Sequence, residues 1–108
     1  MALELPLPVL CGQLLVGGFE GETLPDEMAR ALRDGRRGGV ILFKRNLPSI
    51  GAAHELVGTV LDISPDELPP FVGVDEEGGR VRRMPAPVLT LPAMRVLGEH
   101  GDADLVRE

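Results

Sequence analysis

Three short apolar segments, separated by two helical patterns, constrain the fold of this chain more than any other feature. The segments are Leu14–Val16, Val40–Phe43 and Phe71–Val74. The last two are apolar at nearly every position, whereas a half-exposed antiparallel strand would alternate apolar and polar residues. Continuous apolar strands are typical of a parallel sheet that is covered on both faces. We therefore predict an α/β fold with a parallel sheet.

The first helical pattern is TLPDEMARALRDG. Thr23 and Asp26 have the spacing of a capping box, and Pro25 suits the first turn of a helix. Gly35 follows the apolar stripe and is predicted to end the helix, because glycine readily adopts the left-handed conformation found there.

The second helical pattern is SIGAAHELVGTVLDISP. Ser49 is predicted to cap its beginning, and the Ser64–Pro65 pair is predicted to end it, because a residue before proline avoids the helical conformation. One predicted apolar face carries Ile50, Ala53, Leu56, Val57, Val60 and Leu61. His54 is predicted to lie on the surface of this helix.

The spacing of the predicted strands suits repeated βα units. Their centres lie about 26 and about 32 residues apart, and a β/α barrel of eight units averages about 31 residues per unit. A doubly wound sheet has units of similar length, so spacing leaves both architectures open.

The last third of the chain is predicted to be a loop followed by a helix. Three prolines after Arg83 predict an extended loop, and HGDADLVRE is predicted to begin a helix capped by Asp102. A pattern that stops within a helix leads us to expect that these 108 residues are part of a longer domain.

Composition argues against several kinds of function. Eleven basic and 17 acidic residues give a net charge of −6, which disfavours nucleic-acid binding. No apolar run approaches the ~20 residues that span a membrane, and the N-terminal MALELPLPVL does not resemble a signal peptide, so we expect a cytoplasmic location. Cys11 is predicted to be a small buried residue. Its spacing to the two histidines does not resemble a metal site, so we predict no metal and no cofactor.

The stretch FVGVDEEGGRVRRM concentrates charge at the end of a predicted strand. Asp75 directly follows Val74, and ligands in parallel α/β folds bind beyond the carboxyl ends of strands. Gly78 and Gly79 allow a sharp turn, and three arginines follow within four positions. From these residues alone, two interpretations remain open. The loop binds a polyhydroxylated ring through charge-assisted hydrogen bonds, or it is an ion-paired loop that only closes the sheet.

A family resemblance favours the first interpretation. The segments GQLLVGGFEG, GGVILFKRN, VDEEGGRVRR and LPAMRVLG resemble, in this order, the family 3 glycoside hydrolases. They are most similar to the bacterial β-N-acetylglucosaminidase branch that acts in cell-wall recycling. The resemblance extends from Leu10 to Glu108. It implies that residues 1–108 are the N-terminal part of a (β/α)8 TIM-barrel catalytic domain, namely its first three βα units, and that the barrel is truncated.

The resemblance also implies roles for individual residues and a carbohydrate substrate. Asp75 is expected to contact sugar hydroxyls, and Arg83 is expected to line the sugar site. Glu77-Gly78-Gly79 is expected to shape the turn. Most members of the family have glutamine at the position of Glu76, whose carboxylate is expected to face solvent.

The resemblance places the catalytic machinery further along the sequence. An aspartate nucleophile and an Asp–His proton donor would lie beyond residue 108, so we assign no catalytic residue, and we predict that the 108-residue chain alone is inactive. The full-length parent is expected to be a retaining β-N-acetylhexosaminidase. Two alternatives stay open: another family 3 enzyme such as a β-glucosidase, and a non-catalytic binding or structural protein. The sequence carries no signal for an oligomeric state.

Overall fold

A computed structural model of the chain describes residues 4–107; residues 1–3 and 108, the ends of the predicted domain, lie outside this range. The helices are α1 (Leu7–Gln13), α2 (Asp26–Arg33), α3 (Ile50–Ile63) and α4 (Met94–His100). The strands are β1 (Val16–Gly17), β2 (Gly39–Leu42) and β3 (Phe71–Val74). Two 3-10 turns cover Lys44–Asn46 and Asp104–Val106.

The three strands form one parallel sheet in the order β1-β2-β3. In its register, Val40 lies between Gly17 and Val72. A Cβ atom at Gly39 would collide with the carbonyl oxygen of Phe71, so glycine permits this close approach of β2 and β3. The predicted parallel α/β arrangement is confirmed.

The hydrophobic core is formed by β2, α2, α3 and the segments that follow β1 and β2. Its buried side chains are Phe19, Leu32, Val40, Leu42, Leu47, Ala53, Leu56 and Val60. Burial of such aliphatic side chains is the main favourable contribution to folding, at about 1.5–3 kcal/mol for each. The core therefore fixes β2 and the chain segment that leaves its C-terminal end.

Helix α2 begins differently from the prediction. Its N-cap is Pro25, and no side chain caps the helix. The predicted capping box is wrong because Thr23 lies two residues before the N-cap position, from which a capping hydroxyl would have to act. The predicted end is confirmed, since α2 ends at Arg33 and Gly35 follows with φ +69°.

Helix α3 matches its prediction closely. The Ser49 hydroxyl oxygen accepts a hydrogen bond from the backbone N–H of Ala52 at 3.1 Å, and the helix ends at Ile63, before the Ser64–Pro65 pair. His54 is exposed, as predicted. One residue of the predicted apolar face, Leu61, is 52% exposed because the core lies nearer to the Ala53–Leu56–Val60 side.

The N-terminal segment differs most from the sequence analysis. Residues Leu7–Gln13 form α1, and the first strand is confined to Val16–Gly17, so the predicted strand Leu14–Val16 is largely wrong. Cys11 is exposed and not buried. The reason is the orientation of α1: Gly12 faces the backbone of Arg36 so closely that a Cβ atom would collide with it.

The C-terminal helix lies earlier than predicted. Residues 82–93 contain no helix or strand, as predicted, but α4 already begins at Met94 and ends at Gly101, whose φ is +69°. Asp102 does act locally as a cap, because its Oδ1 accepts a hydrogen bond from the N–H of Asp104 at 2.9 Å. That cap serves a 3-10 turn and not a longer helix.

Strand β3 is exposed to a degree that its sequence did not predict. Phe71 is 66% exposed and Val74 is 39% exposed, whereas Val40 of β2 is fully buried. Within the described chain, β3 pairs with β2 alone. The prediction that both strands are covered on both faces is therefore confirmed for β2 and wrong for β3 in this chain.

Candidate functional site

Asp75 and Arg83 lie on the segment that leaves the C-terminal end of β3. Asp75 directly follows the last strand residue, and both side chains are half-buried. Within residues 4–107, no ion pair within 4 Å joins the two. The site thus has a carboxylate and a guanidinium that are not neutralised by each other, which leaves their hydrogen-bonding groups available to a polar ligand.

A tight turn at Gly78–Val81 reverses the chain between these two residues. The N–H of Val81 donates to the carbonyl oxygen of Gly78 at 3.1 Å, and the N–H of Glu77 donates to the carbonyl oxygen of Val81 at 3.0 Å. Gly78 and Gly79 have φ values of +81° and +59°, a region that strains other residues. The turn thereby returns Arg83 towards the end of β3.

The turn is also anchored to the segment before α4. The N–H of Gly79 donates to the carbonyl oxygen of Leu91 at 2.9 Å. A Cβ atom at Gly78 would collide with the carbonyl oxygen of Pro92. Glycine at this position is therefore required both by its φ and by the contact.

Glu76 holds the returning strand of the turn. Its Oε2 accepts hydrogen bonds from the backbone N–H groups of Arg83 at 2.8 Å and Met84 at 2.9 Å. These two bonds, aided by the nearby Arg82 and Arg83 guanidinium groups, lower the pKa of the Glu76 carboxyl from its ordinary value. The expectation that Glu76 only faces solvent is wrong, because the turn presents two unpaired N–H groups to its carboxylate.

A cleft of about 410 Å³ opens beside this turn. It is lined by Lys44, Glu76, Arg80, Arg82, Met84, Pro85, Ala86, Val88, Leu89 and Thr90. A larger hollow of about 530 Å³ lies against α1 and α2 and includes neither Asp75 nor Arg83. The smaller cleft therefore belongs to the charged turn and the larger hollow does not.

Asn46 is a site-forming residue that the sequence analysis did not single out. Its side chain is fully buried. Its Nδ2 donates to the carbonyl oxygens of Phe19 at 3.1 Å and Gly21 at 2.6 Å, and its Oδ1 accepts from the N–H of Phe43 at 2.9 Å. Asn46 thereby ties the segment after β1 to the segment after β2. Its position directly after a buried strand, in the quoted segment GGVILFKRN, was the available signal.

Arg45 supports the same connection from the surface. Its Nε donates to the Phe19 carbonyl oxygen at 3.2 Å and lies 3.1 Å from Glu20 Oε1. Its guanidinium lies 4.8 Å from the centre of the Phe43 ring, within range of a cation–π contact. The loops after β1 and β2 are therefore fixed, so they form a rigid wall beside the loop after β3.

Two further properties of the described residues concern metals and membranes. No group of three or more His, Cys, Asp or Glu side chains in residues 4–107 could hold a metal ion. None of the helices in this part of the chain is long and apolar enough to cross a membrane.

Comparison with known proteins defines the class to which the fold and these motifs belong. The model of the glycosyl hydrolase family 3 N-terminal domain matches residues 9–108. The chain therefore belongs to glycosyl hydrolase family 3, as the resemblance indicated. Its three parallel strands form the N-terminal portion of the family's (β/α)8 barrel, which confirms the predicted fold class.

Named relatives narrow the class further. A β-hexosaminidase of Neisseria meningitidis is 37% identical over 91% of this chain, and one of Pseudomonas aeruginosa is 36% identical over 82%. The structure of NagZ from Neisseria gonorrhoeae in complex with N-trifluoroacetyl-D-glucosamine matches 83% of the chain with a TM-score of 0.71 and 36% identity. A family 3 β-N-acetylglucosaminidase from Paenibacillus matches 94% with a TM-score of 0.84 and 32% identity.

The chain spans about a quarter of the length of these relatives. The matches cover 27% and 26% of the two β-hexosaminidases, 26% of the Neisseria gonorrhoeae structure and 20% of the Paenibacillus structure. The relatives therefore include much more chain than the region compared with these 108 residues.

Proposed function

We propose that this chain forms part of the sugar-binding site of an enzyme that removes terminal β-N-acetylglucosamine from cell-wall muropeptide-type substrates in the cytoplasm. The observation that carries the proposal is the pair Asp75 and Arg83 on a glycine turn at the C-terminal end of β3, in a chain of glycosyl hydrolase family 3. The relative bound to N-trifluoroacetyl-D-glucosamine supports the choice of sugar.

Asp75 and Arg83 supply complementary groups for a sugar ring. The Asp75 carboxylate is proposed to accept hydrogen bonds from sugar hydroxyls, and the Arg83 guanidinium is proposed to donate them. Charge-assisted hydrogen bonds of this kind are short and directional, so two of them orient the ring. The Glu76 bond to the Arg83 backbone limits how far Arg83 can move.

The chemical step is proposed to use residues outside this chain. In a retaining mechanism, a carboxylate attacks the anomeric carbon and the leaving oxygen receives a proton, which gives a covalent glycosyl-enzyme that water then hydrolyses. Asp75 and Arg83 would bind and orient the sugar in both steps. We accordingly assign no catalytic residue within residues 1–108, and the isolated chain is predicted to be inactive.

The test is Asp75→Ala in the full-length gene product, assayed with a chromogenic N-acetylglucosaminide. Loss of a charged hydrogen-bond partner of the substrate is expected to lower kcat/KM by roughly 100-fold or more. Asp62→Ala is the matched control, because Asp62 is an exposed carboxylate of α3 away from the turn. An unchanged kcat/KM in Asp75→Ala would remove this residue from the sugar site.

The same preparation separates the alternative enzymes. The proposed function requires faster hydrolysis of the N-acetylglucosaminide than of the corresponding glucoside. A preference for the glucoside would assign a β-glucosidase, and binding of sugar with no hydrolysis of either compound would assign a non-catalytic protein.

A further inference from the structure

The cleft beside the turn has an unusual combination of charge and apolar surface. Three cationic side chains line it, those of Lys44, Arg80 and Arg82, against one carboxylate, that of Glu76. The chain as a whole has the opposite balance, with a net charge of −6. The concentration of positive charge is therefore local to this cleft.

The three cations lack a carboxylate partner. Within residues 4–107, no carboxylate oxygen lies within 4 Å of the side-chain nitrogens of Lys44, Arg80 or Arg82. The nearest candidate by sequence, Glu76, already accepts two backbone N–H groups through its Oε2. The same bonds that hold the turn thus withdraw this carboxylate from ion pairing, and they leave the cations free to bind an external anion.

The opposite wall of the cleft is aliphatic. Met84, Pro85, Ala86, Val88 and Leu89 line it, and Leu89 is 70% exposed. Ligand sites typically combine an apolar wall with a few convergent polar groups, at volumes of about 300–1,000 Å³. A cleft of about 410 Å³ is large enough for one sugar ring.

We propose that this cleft binds a saccharide that carries a carboxylate, with the carboxylate held by Lys44, Arg80 and Arg82 and the C–H face of the ring against the aliphatic wall. The guanidinium groups suit a carboxylate because their paired N–H donors match its two oxygens. Three cations with one carboxylate favour a monoanion, and the overall negative charge of the chain disfavours polyanions. This site is separate from Asp75 and Arg83, so it goes beyond the proposed function.

The test is calorimetric titration of the full-length gene product with D-glucuronate, methyl glucuronate ester and glucose. D-glucuronate is expected to bind roughly tenfold or more tightly than either neutral sugar, because charged hydrogen bonds contribute about 1.5–3 kcal/mol. Its affinity is expected to fall when the ionic strength rises, since the three cations are solvent-exposed. Equal affinities for the three compounds would overturn the proposal, as would tighter binding of glucose 6-phosphate, which would assign a phosphate site.

Variants link the binding to the cleft. Arg82→Gln and Lys44→Gln are each expected to weaken D-glucuronate binding by roughly three- to tenfold, and Arg82→Lys is expected to restore most of the loss because it keeps the charge. Arg33→Gln, an exposed residue of α2 outside the cleft, is the matched control. If Arg33→Gln weakens binding as much as Arg82→Gln, the effect is one of net charge and the cleft assignment is wrong. Calorimetry requires no turnover, so the outcome is independent of the Asp75 test.

Discussion

Strands β2 and β3 have similar apolar sequences but very different environments. Val40 of β2 is fully buried, whereas Phe71 and Val74 of β3 are 66% and 39% exposed. β2 is paired on both sides and contributes to a core shared with α2 and α3, while β3 in the described chain pairs with β2 alone. The comparison teaches that an apolar run states what a strand requires, and that its neighbours decide whether the requirement is met.

The loops that follow the two strands differ in the same sense. After β2, the buried Asn46 uses both of its amide atoms in hydrogen bonds to the backbone. After β3, Asp75 and Arg83 are half-buried and are not paired with each other among the described residues. The first loop therefore stabilises the fold, and the second keeps polar groups available for a ligand.

The largest expected effect in this comparison comes from Asn46→Ala. The variant leaves the Phe19 and Gly21 carbonyl oxygens and the Phe43 N–H without their partner, which is expected to lower the free energy of unfolding by about 3 kcal/mol. Urea unfolding followed by circular dichroism measures the change. Thr59→Ala, which removes an exposed hydrogen bond within α3, is the control and is expected to cost about 0.5 kcal/mol or less. Equal effects of the two variants would contradict a structural role for the loop after β2.

A matched pair of valine substitutions tests the two strands directly. Val40→Ala is expected to lower the free energy of unfolding by about 2–3 kcal/mol, because it removes buried methyl groups and leaves a cavity. Val74→Ala removes the same atoms from a side chain that is 39% exposed, and about 1 kcal/mol or less is expected. Both are measured by the same unfolding experiment. If Val74→Ala costs as much as Val40→Ala in the full-length gene product, then β3 is covered there as β2 is here.

The smallest expected effect concerns the pH dependence of the loop after β3. The folded-state pKa of Glu76 lies below its ordinary value of 4.5, chiefly because of the Arg83 and Met84 N–H groups. A lowered carboxyl pKa means that the ionised form stabilises the fold; this contribution is present above pH 4.5 and is lost as the pH falls through the folded-state pKa.

Glu76→Gln is therefore expected to flatten the decline of the thermal midpoint below pH 4.5, since its amide oxygen still accepts hydrogen bonds but does not titrate. The measurement is thermal unfolding in a series of buffers from acidic to neutral pH. Glu77→Gln, at the exposed neighbouring position, is the control and is expected to keep the parent profile. An identical acid profile in Glu76→Gln and the parent protein would rule out this role of Glu76.

Local signals predicted some elements well and others poorly. Ser49 and the Ser64–Pro65 pair bound α3 as predicted, because caps and proline act within a few residues of the chain. The prediction for Cys11 is wrong because α1 turns Gly12 towards Arg36, 24 positions away in the sequence. Its burial therefore depends on a contact that no local pattern contains.

The candidate site divides along the same line. The position of Asp75 at the end of β3 and the need for glycine at the turn could be predicted, since a strand end and a positive φ are local properties. The Glu76 bonds to Arg83 and Met84 could not be predicted, because they form only after the turn has brought residues seven and eight positions apart together.

The sequence by itself determined the order of strands and helices, the parallel sheet and the family, because apolar periodicity, helix caps and motif order are all written along the chain. Only the tertiary structure decided which strand is buried, which carboxylate holds the turn and which cations line one cleft. Those properties depend on distances between segments that are remote in sequence, and such distances are fixed by packing around the core.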